Sequence, residues 1–217
     1  MTDVPTKIAE PARDARFWNR MAAGYAKRPV ADQASYDRKL EITRTYLKPE
    51  MEVLEFGCGT GSTALVHAPF VKHILAFDFS SQMIDIAREK ADAQGIGNVT
   101  FKIDRIEDFA SPSNHYDVVL GLSILHLLQD QRAAITKTYD MLKPGGLFIS
   151  STACLRGEMS WFKPILAVGS AVGLLPRVAF FTVNHLETLL REAGFRLESS
   201  WKPGPRKGVF IVARKPE

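Results

Sequence analysis

Glu55, Asp78 and Asp104 each stand at the end of a short apolar run, and the first leads directly into Phe56-Gly57-Cys58-Gly59-Thr60-Gly61. Glycine at alternate positions lets a backbone take positive φ and approach a ligand closely. The spacing is G-x-G-x-G, shorter than the G-x-G-x-x-G of the dinucleotide fingerprint. An acid at position 55 would repel a pyrophosphate and welcome a cationic amino group. The turn therefore favours an amino-acid-bearing nucleoside over a nicotinamide dinucleotide, and a plain strand–helix connection is the bland alternative. Asp78, in Leu75-Ala76-Phe77-Asp78-Phe79-Ser80-Ser81-Gln82-Met83, can accept both ribose hydroxyls from the end of its strand. It could also serve a helix N-terminus or simply be solvated. Phe79 and Met83 would wall the ribose and base, with Met83 equally suited to the core.

These residues need a scaffold, and the pattern around them supplies one. Phe17 to Ala26 and Tyr36 to Leu47 read as two helices parted at Pro29. A strand–helix alternation follows, with strands at Glu52–Phe56, Lys72–Phe77, Val99–Ile103, Tyr116–Gly121 and Leu147–Thr152. Helices are expected at Ser62–Ala68, Ser81–Gln94 and Gln131–Leu142, the last stopped by Lys143-Pro144-Gly145-Gly146. Asn184, with Glu187 three residues on, reads as a capping box opening a further helix to Gly194. Phe195–Trp201 and Val209–Ala213 then form two strands joined at Lys202-Pro203-Gly204-Pro205. That joint is too short for a crossover helix, so the last strand should run antiparallel. The whole is a Rossmann-like α/β layout with helices on both faces of a mostly parallel sheet, binding its ligand beyond the carboxyl ends of the strands.

Composition narrows the classes. The 217 residues carry a net charge of +4 without a run of like charges, so a nucleic-acid partner is not indicated. Cys58 and Cys154 match no metal or redox spacing, and no metal site is expected. Met1 to Arg16 lacks the apolar core of a secretory signal, and Ile165 to Pro176 is too short to span a bilayer. A cytoplasmic location is expected, with peripheral membrane contact left open, and either a monomer or a homodimer.

The run E-F-G-C-G-T-G at 55 to 61 resembles the E/D-x-G-x-G-x-G core of the class I S-adenosylmethionine (SAM)-dependent methyltransferases, particularly small-molecule members. The likeness extends over roughly residues 50 to 152 and more loosely to 213. It implies a seven-stranded sheet with an antiparallel last strand and SAM as cofactor. It also implies one domain over 1–217, with a tail and cap helices at 1–50, a SAM-binding core at 51–153, an apolar insertion at 154–182, and a terminal helix and hairpin at 183–217.

By this resemblance Glu55, Phe56, Gly57, Gly59 and Gly61 hold the donor with Asp78, Phe79 and Met83. Asp104 meets the adenine amino group, the Arg105 N–H meets a ring nitrogen, and Ile106 lies alongside. Leu122, in the Gly121 to His126 stretch, faces the methyl donor. Tyr25, in Phe17 to Tyr25, resembles part of the aromatic helix folded over the methionine moiety, with simple packing of Phe17 and Trp18 on the sheet as the other reading.

The sequence lacks the Asp/Asn-Pro-Pro-aromatic signature, the Pro-Cys pair and the carboxylate group of metal-dependent catechol methylation, which points to a metal-free small-molecule or lipid acceptor. His126 is the one histidine placed for general-base work, with a structural role as its alternative. Trp161, Phe162, Leu174, Leu175, Phe180 and Phe181 suggest an apolar acceptor pocket, a lipid surface or a dimer contact. The rival functions are a SAM-binding regulator without catalysis and transfer of another SAM-derived group.

Overall fold

The computed structural model describes residues 13–154, 169, 175–176, 178–204 and 207–217. In chain order the elements are α1 (Arg13–Ala26), α2 (Gln33–Arg44), β1 (Glu52–Phe56), α3 (Ser62–His67), β2 (His73–Asp78) and α4 (Ser81–Gln94). There follow β3 (Val99–Ile103), β4 (Tyr116–Leu122), α5 (Gln131–Met141), β5 (Leu142–Thr152), α6 (Val183–Glu192), β6 (Arg196–Trp201) and β7 (Val209–Arg214). The seven strands form one sheet in the order β3-β2-β1-β4-β5-β7-β6. β1 to β5 pair in parallel, whereas β7 is antiparallel to both β5 and β6. The strand order reverses between β1 and β4, which opens a crevice at their carboxyl ends.

Each face of the sheet has its own core. Val53, Ile74, Ala76, Val118, Leu120 and Ile149 pack on one side against Ala64 and Leu65 of α3 and Ile84, Ala87 and Ala91 of α4. Leu54, Phe56, Val119, Phe148 and Ile211 pack on the other against Ile135 of α5 and Leu186, Leu189 and Leu190 of α6. Strand residues alternate between the two cores, so almost every side chain of β1 and β7 is buried. Each of the three leucines of α6 contributes roughly 1.5–3 kcal/mol by leaving water.

Several boundaries differ from the pattern reading. The last helix is capped by Thr182, whose side chain accepts from His185 N–H at 3.1 Å, and Asn184 lies inside it. Lys143 to Gly146 do not leave the sheet. They form a bulge within β5, where Lys143 Nζ bonds both oxygens of Asp117 at 2.8 Å and Gly145 and Gly146 pair with Lys215 through the main chain, while Asp117 also accepts from Glu52 N–H. Of the apolar insertion, Trp161, Phe162 and Leu174 lie outside the described residues, as does Pro205 of the final turn. Phe181 was expected in an acceptor pocket or contact surface; it belongs instead to the core beneath α6, with 5% exposure.

Gly121 sits where β4 crosses between Phe56 and Phe148. A Cβ there would lie 2.7 Å from Phe56 Cζ and 3.0 Å from Phe148 Cε2. Both rings are fully buried and cannot withdraw without disturbing the core. Gly121→Ala should therefore lower stability by about 1–3 kcal/mol through overpacking. Urea unfolding measures this directly, and an unchanged midpoint would mean that the two rings yield.

Candidate functional site

The turn after β1 is shaped by its glycines, since Gly57, Gly59 and Gly61 have φ of 66°, 52° and 72°. No other residue type holds that left-handed backbone at three alternate positions without strain. Main-chain bonds fix it in place: Cys58 N–H donates to Phe77 O at 3.1 Å and Gly61 N–H to Cys58 O at 3.0 Å. The glycines differ in task. A Cβ on Gly61 would collide with the Phe101 ring at 2.7 Å and with Ala87, so this glycine seats α3 on the sheet and does not border the cleft.

Asp78 completes the turn from the end of β2. Its Oδ2 accepts from Gly59 N–H at 3.0 Å and its Oδ1 from Ser80 N–H at 2.9 Å. Ser80 in turn caps α4 by accepting from Met83 N–H, so the carboxylate serves the helix start as well as the turn. Each carboxylate oxygen keeps a lone pair for a further donor. Burial raises the Asp78 pKa, against the lowering effect of the Ser80, Gly59 and Phe79 N–H groups.

Glu55 is more extreme. It is 3% exposed, its Oε2 has no hydrogen-bond partner among the described residues, and burial, reinforced by the Asp78 charge, pushes its pKa up to about 8. The neighbouring Cys58 thiol is driven well above its ordinary pKa by burial and then by the Glu55 and Asp78 charges, so it stays protonated and is no nucleophile.

These groups border a cleft of about 390 Å³, within the size range of small-molecule sites. Its wall includes Tyr25, Glu55, Gly57, Gly59, Asp78, Phe79, Met83 and Leu122. A smaller cavity of about 30 Å³ shares Gly57, Asp78 and Phe79 with it and adds Phe56, Asp104, Arg105 and Ile106. The structure thus brings together all the sequence-derived donor residues except Gly61. Met83 proves to be both cleft wall and core, with 2% exposure. The Arg105 N–H donates to Asp104 Oδ1 at 2.8 Å, and the Arg105 guanidinium lies over the Phe79 ring at 5.0 Å. His126 borders neither cavity. It sits in a short 3-10 turn, Leu125–Leu127, with Nδ1 3.4 Å from Thr152 Oγ1, and burial lowers its pKa to about 4.

Other residues of the site carry little sequence signal. Trp18 borders both cavities and meets Tyr25 edge to face at 6.3 Å. Asn19 fastens α1 to the start of α4, accepting from Ser80 Oγ at 2.6 Å and Gln82 N–H at 3.3 Å. Pro29, Val30 and Ala31, read as a break between helices, form part of the cleft wall with Ile124 and Leu127. Ser123 on the same wall has φ of 59°, a conformation costing a non-glycine residue roughly 1–2 kcal/mol, and its N–H donates to Ser151 O at 2.6 Å.

A model of the methyltransferase domain family matches residues 28–200, and the chain belongs to that family. With its sheet order and antiparallel β7, it is a class I methyltransferase whose methyl donor is SAM. The ubiquinone biosynthesis O-methyltransferase of Ruegeria pomeroyi is 29% identical over 192 residues, covering 86% of this chain and 73% of its own. Two solved structures share the fold. The cyclase SpnF superposes with a TM-score of 0.72 at 20% identity, over 87% of this chain and 83% of its own. Phosphoethanolamine N-methyltransferase 2 of Haemonchus contortus, in complex with SAM, gives 0.71 at 16% identity, over 84% and 53%. Among the described residues no helix is long and apolar enough to cross a membrane.

The buried Glu55 makes stability depend on pH in a definite direction. In the folded protein it keeps its proton to about pH 8, whereas in the unfolded chain it ionises near about pH 4.3. The folded state binds more protons across that window, so stability falls as pH rises through it, by up to about 1.4 kcal/mol per pH unit. Glu55→Gln should flatten this decline in urea unfolding of donor-free protein between about pH 5 and about pH 8. Equal slopes for the two proteins would mean that the acid is not held protonated.

Proposed function

We propose that this protein transfers the methyl group of SAM to an oxygen of an apolar small molecule. The observation that carries the acceptor class is the wall of the larger cleft, which adds the apolar Pro29, Val30, Ala31, Leu122, Ile124 and Leu127 to the donor-side acids. Glu55 and Asp78 are the only acids on that wall among the described residues, which disfavours a cationic acceptor. The oxygen nucleophile is supported by the curated relative, named as an O-methyltransferase.

In this reading Asp78 accepts the ribose hydroxyls with its two free lone pairs. Asp104 takes the adenine amino group, between Phe79 and Ile106. Glu55 takes the α-amino group, whose positive charge would hold the carboxylate ionised and fill the unmet hydrogen bond of Oε2. Bound SAM supplies a methyl group made electrophilic by the sulfonium. The protein's share is alignment and a dry cleft, roofed by Trp18 and Tyr25. A hydroxyl acceptor must also lose a proton. His126, the base candidate from the sequence, borders neither cavity and has Nδ1 3.4 Å from Thr152 Oγ1, so that proton is not assigned to it.

SAM carrying a labelled methyl, offered with apolar phenols, amines and thiols, tests the assignment. Label should pass to the phenols, and transfer only to amines would overturn the oxygen reading. Tight SAM binding with no transfer to any acceptor would favour a non-catalytic binding role on this fold. Asp78→Ala should weaken SAM binding more than about ten-fold through loss of charged hydrogen bonds. A dissociation constant unchanged by calorimetry would remove Asp78 from the ribose. His126→Gln should leave both kcat for a phenol and SAM affinity near wild type, since the imidazole borders neither cavity. A fall in kcat of about a hundred-fold would restore it as the base.

A further inference from the structure

The glycines that bring the turn close to a ligand leave it without side chains to stiffen it. Asp78 clamps its first half through Gly59 N–H. The second half is held from α4 by Lys90, whose Nζ donates to Thr60 O at 3.2 Å, Thr60 Oγ1 at 2.9 Å and Ser62 Oγ at 3.1 Å. An ammonium has three donors, and three oxygens of the turn and the first residue of α3 receive them. No carboxylate bonds to Lys90 among the described residues. A half-buried cation with only neutral partners is a costly way to tie two helices together, and desolvation lowers its pKa accordingly.

The placement of those partners gives the arrangement a use. Thr60 and Ser62 both border the larger cleft, on the wall that also carries Glu55. Neither borders the smaller cavity, where Asp104, Arg105 and Ile106 lie. The lysine therefore fixes one end of the site and leaves the other alone. We propose that Lys90 is a positioning residue for the amino-acid end of the donor, locking Thr60 and Ser62 so that the turn keeps its shape beside Glu55. The inference rests on the SAM reading above.

Calorimetry with two probes separates this role from simple support of the fold. SAM carries the amino-acid tail, and 5′-methylthioadenosine carries the nucleoside and thioether without it. Lys90→Met should weaken SAM binding by about ten-fold and 5′-methylthioadenosine by less than about two-fold, as expected for lost charge-assisted hydrogen bonds acting on one end of the ligand. Lys90→Arg, which keeps charge and donors, should recover most of the loss. In steady-state assays KM for SAM should rise, with kcat at saturating SAM and KM for the acceptor nearly unchanged. Should Lys90→Met fail to fold, Thr60→Val removes one of the three acceptors with little change of shape and carries the same comparison.

Equal loss for both probes would mark Lys90 as a general structural tie and overturn the proposal. So would SAM binding identical to wild type. If the wild-type protein binds no SAM, the donor reading falls and this inference with it. Normal SAM binding by both wild type and Lys90→Met removes the inference alone.

Discussion

Two carboxylates buried at neighbouring strand ends set the terms for the rest of this molecule. Glu55 and Asp78 are 3% and 8% exposed, and among the described residues neither is bonded to a Lys or Arg. Removing two like charges from water side by side is unfavourable, and the cost falls on whatever is held between them. Asp78 offsets part of it with the Gly59 N–H from the left-handed glycine turn and the Ser80 N–H from the start of α4. Glu55 has no such help and remains protonated until a cation comes near. The sheet, with five parallel strands and a core on each face, is the rigid body against which this unfavourable arrangement is held.

The N-terminal helices are part of the same solution. α1 is tied to the start of α4 through Asn19 and presents Trp18 and Tyr25 to the cleft. α2 reaches the opposite end of the sheet, where Lys39 Nζ donates to Ser151 Oγ at 2.9 Å, and Arg38 lies over the Trp201 ring at 4.6 Å. The Pro29–Ala31 connection between them then becomes cleft wall. Closing the crevice with helices from outside the sheet keeps irregular backbone at the surface, where water can satisfy it.

Much of the fold was legible because its signals are local and periodic. The apolar runs of β1, β2 and β4 are short and bounded, and Ile84, Ala87 and Ala91 repeat at helical spacing. The strand-end acids were legible too, since a carboxylate after an apolar run is conspicuous in one dimension. Features that depend on distant partners were not. The bulge at Lys143–Gly146 is bonded to Asp117 and Lys215, both distant in sequence, and from sequence the Pro-Gly-Gly run reads simply as a stop. Gly61 looks like its two neighbours in the motif, yet it answers to Phe101 and Ala87. Phe181 was indistinguishable from a surface aromatic until α6 was seen to cover it, and the left-handed Ser123 has no signature in composition or spacing.

The insertion of β7 between β5 and β6 has a consequence for how the chain comes off the ribosome. β6 touches the rest of the sheet only through β7, and β5 exposes an open edge until β7 arrives. The parallel half can pair as soon as its strands emerge, but the hydrophobic rim of β5 must wait for residues 209–214. Until then the edge of β5 presents its unpaired N–H and C=O groups, a template for association with other chains. Pairing of β7 with β5 is thus the step that turns an adhesive edge into a closed one.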